Sequence, residues 1–245
     1  MTKFTRTKVL TEAEFHYCPG CTHGIAHRLV AETIEELGYE DKAIAVVPVG
    51  CAVFAYNFFN LDSQEAAHGR APAVGTAIKR LLPDRIVFTY QGDGDLASIG
   101  AAEIIHAAAR GENITTIFIN NGIYGMTGGQ MAPTTIIGQK STTTPFGRQS
   151  GTSGYPLDMS AIISTIEGAA FVSRVSLHNV KHILEAKKMI RKAFTYQLEG
   201  KGFSFVECLS TCPTNWGLSP VDSMNWLADN MIPKYPLGTK KEVAC

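Results

Sequence analysis

The sequence predicts an α/β protein built on a mostly parallel sheet with helices on both faces, and three observations carry that expectation. First, residues 85–119 read as an apolar strand, a glycine turn, a helix and a second apolar strand. Two strands joined through one helix must run parallel, with a right-handed crossover. Second, residues 43–49 and 203–206 are further apolar runs that end in turns rich in glycine, cysteine or proline. Their near-continuous Ala, Ile, Val and Phe content suits strands buried on both faces. Third, residues 22–37 and 179–197 have apolar positions at helical spacing, the second opposite a lysine-rich face. At 245 residues the chain can bury a full core as one large domain. A single domain over 1–245 is expected, with its core at about 15–212 and a C-terminal extension at 213–245.

The elements follow in order. The helix at 22–37 is opened by Cys18-Pro19-Gly20-Cys21, and the strand at 43–49 runs into Gly50-Cys51. His68-Gly69-Arg70 begins a helix-like run at 71–82, whose N-terminus favours an anion. The strand at 85–90 leads through Gly92-Asp93-Gly94-Asp95 into a helix bearing Glu103, read as a surface carboxylate, and His106, read as packed or exposed on the helix face without a catalytic role. The strand at 114–119 ends in Asn120-Asn121, followed by the glycine-containing loop 123–135. A helix at 158–167 and a strand at 170–175 precede the helix at 179–197, whose apolar positions are Val180, Ile183, Leu184, Met189, Ile190 and Phe194. After the strand at 203–206 comes a turn ending in Cys212-Pro213. The extension then carries Pro220, Pro233 and Pro236 with Trp226, Leu227, Met231 and Ile232 as apolar anchors, either for a subunit contact or for packing back on the same domain.

Twenty-two basic and 22 acidic residues cancel, which argues against a nucleic-acid or anionic-membrane surface. No apolar run has the length of a signal peptide's core or of a membrane span, so a cytoplasmic chain is expected.

The chemistry concentrates at strand ends. Parallel topology puts the loops after the 85–90 and 114–119 strands on one edge, so Asp93 and Asn121 should lie side by side, although 28 positions separate them. A carboxylate and an amide oxygen are hard donors, suited to Mg²⁺ that keeps positions for phosphate and water. Gly92 and Gly94 leave room for a diphosphate. A dinucleotide-binding turn would need GxGxxG, which is absent after Tyr90. The span from GDG to NN resembles the thiamine diphosphate (TPP) motif. That resemblance implies a TPP-binding fold, Mg²⁺ on Asp93, Asn121 and the Ile123 carbonyl, and cofactor contacts from Gly92, Gly94 and Asp95.

Six cysteines, at 18, 21, 51, 208, 212 and 245, have little use as disulfides in a cytosolic chain, so metal or cluster ligation is the first question. A CxxC turn aims two thiolates at one centre. Cys51 and Cys212 follow strands, so four thiols from three loops could meet at the same sheet edge. Zinc and a [4Fe–4S] cluster both accept such a set, and Cys51 and Cys212 also suit small buried apolar positions.

CPGCTHG at 18–24, Gly50-Cys51, HGRAPAVGTAIK at 68–79, the TPP span, MTGGQMAPTT at 126–135 and CPTNWG at 212–217 occur in that order. Together they resemble the β, TPP-binding subunit of the 2-oxoacid:ferredoxin oxidoreductases over nearly the whole chain. The resemblance implies a [4Fe–4S] cluster on Cys18, Cys21, Cys51 and Cys212, with Cys208 as the alternative to Cys212 and Cys245 as a bystander. It also implies cofactor contacts from Gly50, His68 and Arg70. The implied activity is oxidative decarboxylation of a 2-oxoacid with coenzyme A (CoA) to acyl-CoA, CO₂ and reduced ferredoxin, in anaerobic metabolism. The partners would be an α subunit, which supplies the activating glutamate, with further γ and δ subunits and ferredoxin. Gly128 stands where some relatives of broad specificity have a lysine, which leans the substrate toward branched-chain 2-oxoacids, with 2-oxoglutarate next. His23 is left open between a place near the cluster and a place in water. Two rival classes remain, a non-oxidative TPP decarboxylase or synthase subunit and a zinc-stabilised scaffold without chemistry.

Overall fold

The computed structural model describes residues 5–243, so Cys245 lies outside the described residues. The chain begins with α1 (His23–Glu36), β1 (Ala43–Pro48), α2 (Ala55–Phe58), β2 (Asp62–Ala66), α3 (Ala71–Leu81) and β3 (Ile86–Gly92). A π turn (Asp95–Ile99) leads into α4 (Ala101–Ala109), β4 (Thr115–Asn120) and a small hairpin, β5 (Ile123–Tyr124) with β6 (Gln130–Met131). Then come α5 (Ser150–Ser153), α6 (Met159–Ser164), β7 (Ala169–Ser176), α7 (Val180–Leu198) and β8 (Phe203–Leu209). The chain closes with α8 (Pro213–Trp216), α9 (Pro220–Trp226), α10 (Ile232–Lys234) and β9 (Gly238–Glu242). Among the described residues, no helix is long and apolar enough to cross a membrane.

Seven strands form one sheet in the order β2-β1-β3-β4-β8-β7-β9. Every pairing is parallel except that of β9 on β7. Alternate residues of the strands face opposite layers, as the two-residue period requires. Ala43, Ala45, Val47, Phe88, Tyr90 and Ile117 pack with α1 and α7 on one side. Ile44, Val46, Val87, Phe118 and Phe205 pack with α3, α4 and α6 on the other. The chain departs from β1 in both directions, to β2 on one side and β3 on the other, and such a switch point opens a crevice at the carboxyl ends of the strands.

Three expectations are corrected here. β8 runs to Leu209 rather than stopping at 206, because Glu207 is a fully buried ladder residue opposite Arg174 of β7. Arg174, also fully buried, donates from Nε to Glu207 Oε2 at 2.8 Å, pairs with Asp158 and lies over the Tyr235 ring at 5.1 Å. Val180 and Leu184 are exposed, 73% and 58%, while Ile190 and Phe194 are buried as expected, together with Ala186 and Ala193. The helix after the GDGD turn is broken in two at Gly100, where the backbone crosses the Gly69 loop. A Cβ on Gly100 would lie 2.8 Å from the Gly69 Cα, so only glycine fits.

The extension after residue 212 folds back onto the sheet. Leu227, Met231 and Tyr235 are buried together with Ile136 and Leu209, and Tyr235 Oη donates to the Thr134 carbonyl at 2.6 Å.

Candidate functional site

The carboxyl ends of β1, β3, β4 and β8 stand next to one another, and a cavity of about 240 Å³ opens there. Gly50, Gly92, Asp93, Gly94, Asp95, His68, Asn121 and Ile123 all border it. The two ends of the GDG-to-NN span meet through one backbone donor. Ile123 N–H donates to Asp93 Oδ2 at 3.0 Å and to Asn121 Oδ1 at 3.2 Å. Asp93 also accepts from Gly94 N–H at 2.9 Å and Thr134 Oγ1 at 3.1 Å. None of these partners is charged. Burial therefore dominates and pushes the Asp93 carboxyl up to about 7, against the lowering pull of the hydrogen bonds. A buried carboxylate beside an amide oxygen, with no charge facing it, fits a divalent cation. Gly92 has open space where a Cβ would be, whereas a Cβ on Gly94 would meet the Tyr124 ring at 2.9 Å. Gly92 leaves room for a ligand, while Gly94 admits a neighbouring side chain.

Asp95 borders the cavity but is spoken for. Its Oδ1 accepts from Gly69 N–H at 2.6 Å and faces His68 Nδ1 at 2.6 Å, and its Oδ2 accepts from Gln91 Nε2 at 2.7 Å. Its work is to hold the 68–70 loop and orient His68. Arg70 is not among the residues bordering the cavity and pairs with Glu103, only 19% exposed, which is therefore not the free surface carboxylate expected. His106, for which the sequence left packed and exposed positions open, is exposed.

The cysteines gather beside this cavity. Cys18 is exposed, Cys21 and Cys51 are half-buried, and Cys212 is buried. Burial, helped by Cys212, Cys51 and Cys18, pushes the Cys21 thiol up to about 12, and burial likewise lifts Cys51 to about 11, helped by Cys212 and Cys18. Asp93 adds to the rise at both Cys51 and Cys212, so the carboxylate and the thiols share one electrostatic neighbourhood. Thiols so strongly held to their protons have no positive partner, and a bound metal cluster would supply one. Among the described residues, no three His, Cys, Asp or Glu side chains are drawn together as the ligands of a single metal ion. Cys208 is fully buried inside β8, paired in register with Ile119, and belongs to the apolar core rather than to this set.

His23, left open by the sequence, is buried at the cavity wall, and burial lowers it to about 4, so it is neutral. Its Nδ1 lies 2.9 Å from Tyr90 Oη. Tyr17 stacks on His23 at 4.8 Å, contacts His27 Nε2 through its hydroxyl at 2.7 Å and donates to the Cys51 carbonyl at 3.2 Å. These rings form a stiff floor beneath the CxxC turn and the Cys51 loop.

The loop after Ile123 is a hairpin rather than a free arm. Gly125, Met126 and Thr127 border the cavity, and Asn215 Nδ2 donates to the Gly125 carbonyl at 3.0 Å. Trp216 Nε1 donates to the Asn121 carbonyl at 3.2 Å, and its ring packs on Trp226 at 4.5 Å. Sequence reasoning gave no role to Thr134, Asn215 or Trp216, although each lies in a motif that it singled out. Glu207 carried no sequence signal; it accepts from Asn120 Nδ2 at 2.7 Å and so fixes the first residue of the asparagine pair. A larger groove of about 770 Å³ lies along β7, α7 and β9 and includes none of these motif residues.

Comparison with known proteins agrees with this geometry. The family described as "Thiamine pyrophosphate enzyme, C-terminal TPP binding domain" matches residues 48–208. The chain is 49% identical over 222 residues to the ketoisovalerate oxidoreductase subunit VorA of Methanothermobacter thermautotrophicus, covering 91% of this chain and 46% of that one. It is 38% identical over 223 residues to the 2-oxoglutarate synthase subunit KorB of Methanocaldococcus jannaschii, covering 88% of this chain and 78% of the relative. The chain thus spans about half the length of the VorA relatives that it matches. A solved structure of 2-oxoglutarate:ferredoxin oxidoreductase from Magnetococcus marinus, with 2-oxoglutarate, coenzyme A and succinyl-CoA bound, superposes with a TM-score of 0.81 at 26% identity, covering 100% of this chain and 87% of that one. With its carboxyl-edge cavity, its TPP motif and these relatives, the chain belongs to the β, TPP-binding subunits of the 2-oxoacid:ferredoxin oxidoreductase family.

Proposed function

We propose that this chain, joined to partner subunits, carries out the oxidative decarboxylation of a 2-oxoacid with CoA, yielding acyl-CoA, CO₂ and reduced ferredoxin. One observation carries the reading: the Asp93–Asn121 pair and Cys51 border one cleft, and Gly125 on the same cleft stands against the sulfurs of both Cys51 and Cys212. Asp93, Asn121 and the Ile123 carbonyl would hold Mg²⁺, with Gly92 and Gly94 beside the diphosphate and Gly50 and His68 on the cavity wall. Cys18, Cys21, Cys51 and Cys212 would hold a [4Fe–4S] cluster. When bound, TPP supplies the carbanion and electron sink that loss of CO₂ requires. The chain's own share is to anchor and orient the cofactor, exclude water beneath the β5–β6 hairpin, and keep His23 neutral against Tyr90.

No glutamate borders the cavity among the described residues, which supports an activating glutamate from the α subunit and inactivity of the chain alone. Branched-chain 2-oxoacids are the favoured substrates, with 2-oxoglutarate next. Support comes from Gly128, which offers no cation to a second carboxylate, and from the higher identity to VorA than to KorB. Electron delivery to ferredoxin goes with a cytoplasmic location. The test is anaerobic co-purification with the neighbouring subunits and a 2-oxoacid panel with CoA and a viologen dye. A brown complex that reduces the dye only with 2-oxoacid and CoA is expected. A colourless TPP-containing complex would instead indicate a non-oxidative decarboxylase, and stoichiometric zinc without iron or TPP a scaffold.

A further inference from the structure

Asn215 stands three positions after Cys212, in α8. Its Nδ2 donates to Cys212 Sγ at 3.2 Å and to the Gly125 carbonyl at 3.0 Å. A carbonyl can only accept, so the nitrogen and not the oxygen of this amide must face that side. The backbone N–H of Asn215 supports the same sulfur. The amide is walled in from behind, since a Cβ on Gly129 would lie 2.9 Å from its Oδ1. The hairpin in turn covers the thiols: a Cβ on Gly125 would stand 3.4 Å from Cys212 Sγ and 3.5 Å from Cys51 Sγ. One fixed amide therefore joins a thiol of the cysteine set to both ends of the hairpin over the cavity.

We propose that Asn215 is a positioning residue that sets the reduction potential of the cluster on Cys18, Cys21, Cys51 and Cys212 by donating to the Cys212 sulfur, an inference that rests on the function proposed above. A donor aimed at a ligating sulfur stabilises the reduced, more negative state more than the oxidised one and so raises the potential. The buried position of Cys212 strengthens the effect, because little water competes for the sulfur.

The experiment compares Asn215→Ala, Asn215→Asp and Asn215→Gln in the complete complex, prepared anaerobically. Iron content and visible absorbance are measured first, followed by a potentiometric titration read by electron paramagnetic resonance. The signal that disappears in Cys212→Ser identifies the cluster concerned. Asn215→Asp keeps the side-chain shape without the donor, so it should lower the midpoint at least as far as Asn215→Ala. The expected fall is a three- to tenfold change in the reduction equilibrium, the upper limit being about 59 mV for one electron. Asn215→Gln, with an amide on a longer stem, should recover part of the shift. Iron-replete Ala and Asp variants with the wild-type midpoint would overturn the proposal, as would loss of iron from all three variants, which would mark a purely structural role. A wild-type complex without iron would bring down the proposed function, and this inference with it.

Discussion

Glu207→Gln is the substitution whose cost can be worked most fully from the structure. Glu207 Oε1 accepts from Asn120 Nδ2, while Oε2 accepts from Arg174 Nε and Ser160 Oγ, all without solvent. A glutamine can keep its oxygen toward Asn120 only by turning its NH₂ onto the Arg174 Nε–H. Ser160 can rotate to accept, but the guanidinium cannot. One buried donor is then orphaned, at about 1–3 kcal/mol. Arg174 also loses one of its two carboxylates and keeps only Asp158, whose side chain is 30% exposed. Breaking a buried pair outright costs about 3–5 kcal/mol, so with Asp158 remaining we expect about 3 kcal/mol. For a chain of this size that corresponds to a fall in Tm of roughly 6–12 °C. Urea and thermal unfolding followed by circular dichroism provide the measurement. TPP binding should weaken as well, because Asn120 Oδ1 anchors Gly122 N–H at 3.1 Å and so shapes the turn that presents Asn121. Replacing the pair together, Arg174→Met with Glu207→Leu, should recover much of the stability, since no uncompensated charge remains. A Glu207→Gln variant within about 0.5 kcal/mol of wild type would refute the account of this network.

The remaining predictions concern the site and the helical layer. Cys212→Ser should strip iron from the complex, whereas Cys208→Ala should keep it and cost only roughly 1–2 kcal/mol of stability; iron loss on replacing Cys208 would contradict the ligand set. Both tryptophans of the chain pack together, and Trp216 is bonded to Asn121, so TPP with Mg²⁺ should change the intrinsic fluorescence. Trp216→Phe should remove that change, and Asp93→Asn should raise the TPP concentration needed for it at least tenfold; unaltered titrations would speak against Asp93 as the anchor. Glu32 of α1 meets Lys187 of α7 at 2.7 Å and Arg28 at 2.6 Å, and although burial raises its pKa, these hydrogen bonds outweigh it and the net shift is below 4.5. A lowered folded pKa means that the pair's contribution is present above 4.5 and lost as pH falls through the folded value. Being partly exposed, it should amount to less than about 1 kcal/mol and fade with salt, so Glu32→Gln should narrow the stability difference between pH 6 and pH 3 by that amount.

The sheet and most of the site were legible because both follow from local pattern and one rule of topology. Alternation and apolar runs locate the strands, and parallel pairing forces strand-end residues far apart in sequence onto one edge. Asp93 and Asn121 could be brought together in that way without any coordinates. Glu207 could not, because a glutamate inside an apolar run reads as the end of a strand. Only the register with β7 shows that Arg174, 33 residues earlier, sits opposite it. The same holds for Arg70, whose partner Glu103 lies on another helix, and for His23, whose burial depends on Tyr17 and Tyr90 closing over it. Val180 and Leu184 fit the helical period, yet the crossing of α7 over the sheet leaves them outside the packed stripe.

The order of strands explains why oxygen donors and thiols share one cleft. Asp93 follows β3 and Asn121 follows β4, the inner two of four adjacent parallel strands, while Cys51 follows β1 and Cys212 follows β8, the outer two. Neighbouring strands lie about 4.8 Å apart, so the outer loops begin about 14 Å from each other across three intervals. That separation is too wide for Cys51 and Cys212 to share a centre unless their loops lean inward. The β5–β6 hairpin marks where they do so: Gly125 lies against both sulfurs at once, and the same residue borders the cavity beside Asp93. Gly125 brings the hairpin backbone up to both sulfurs and gives its carbonyl to Asn215. The convergence thus depends on the sheet for approach and on the hairpin for contact, and the second of these lies in a segment whose glycines, read alone, suit either a close approach of backbone to ligand or a flexible loop.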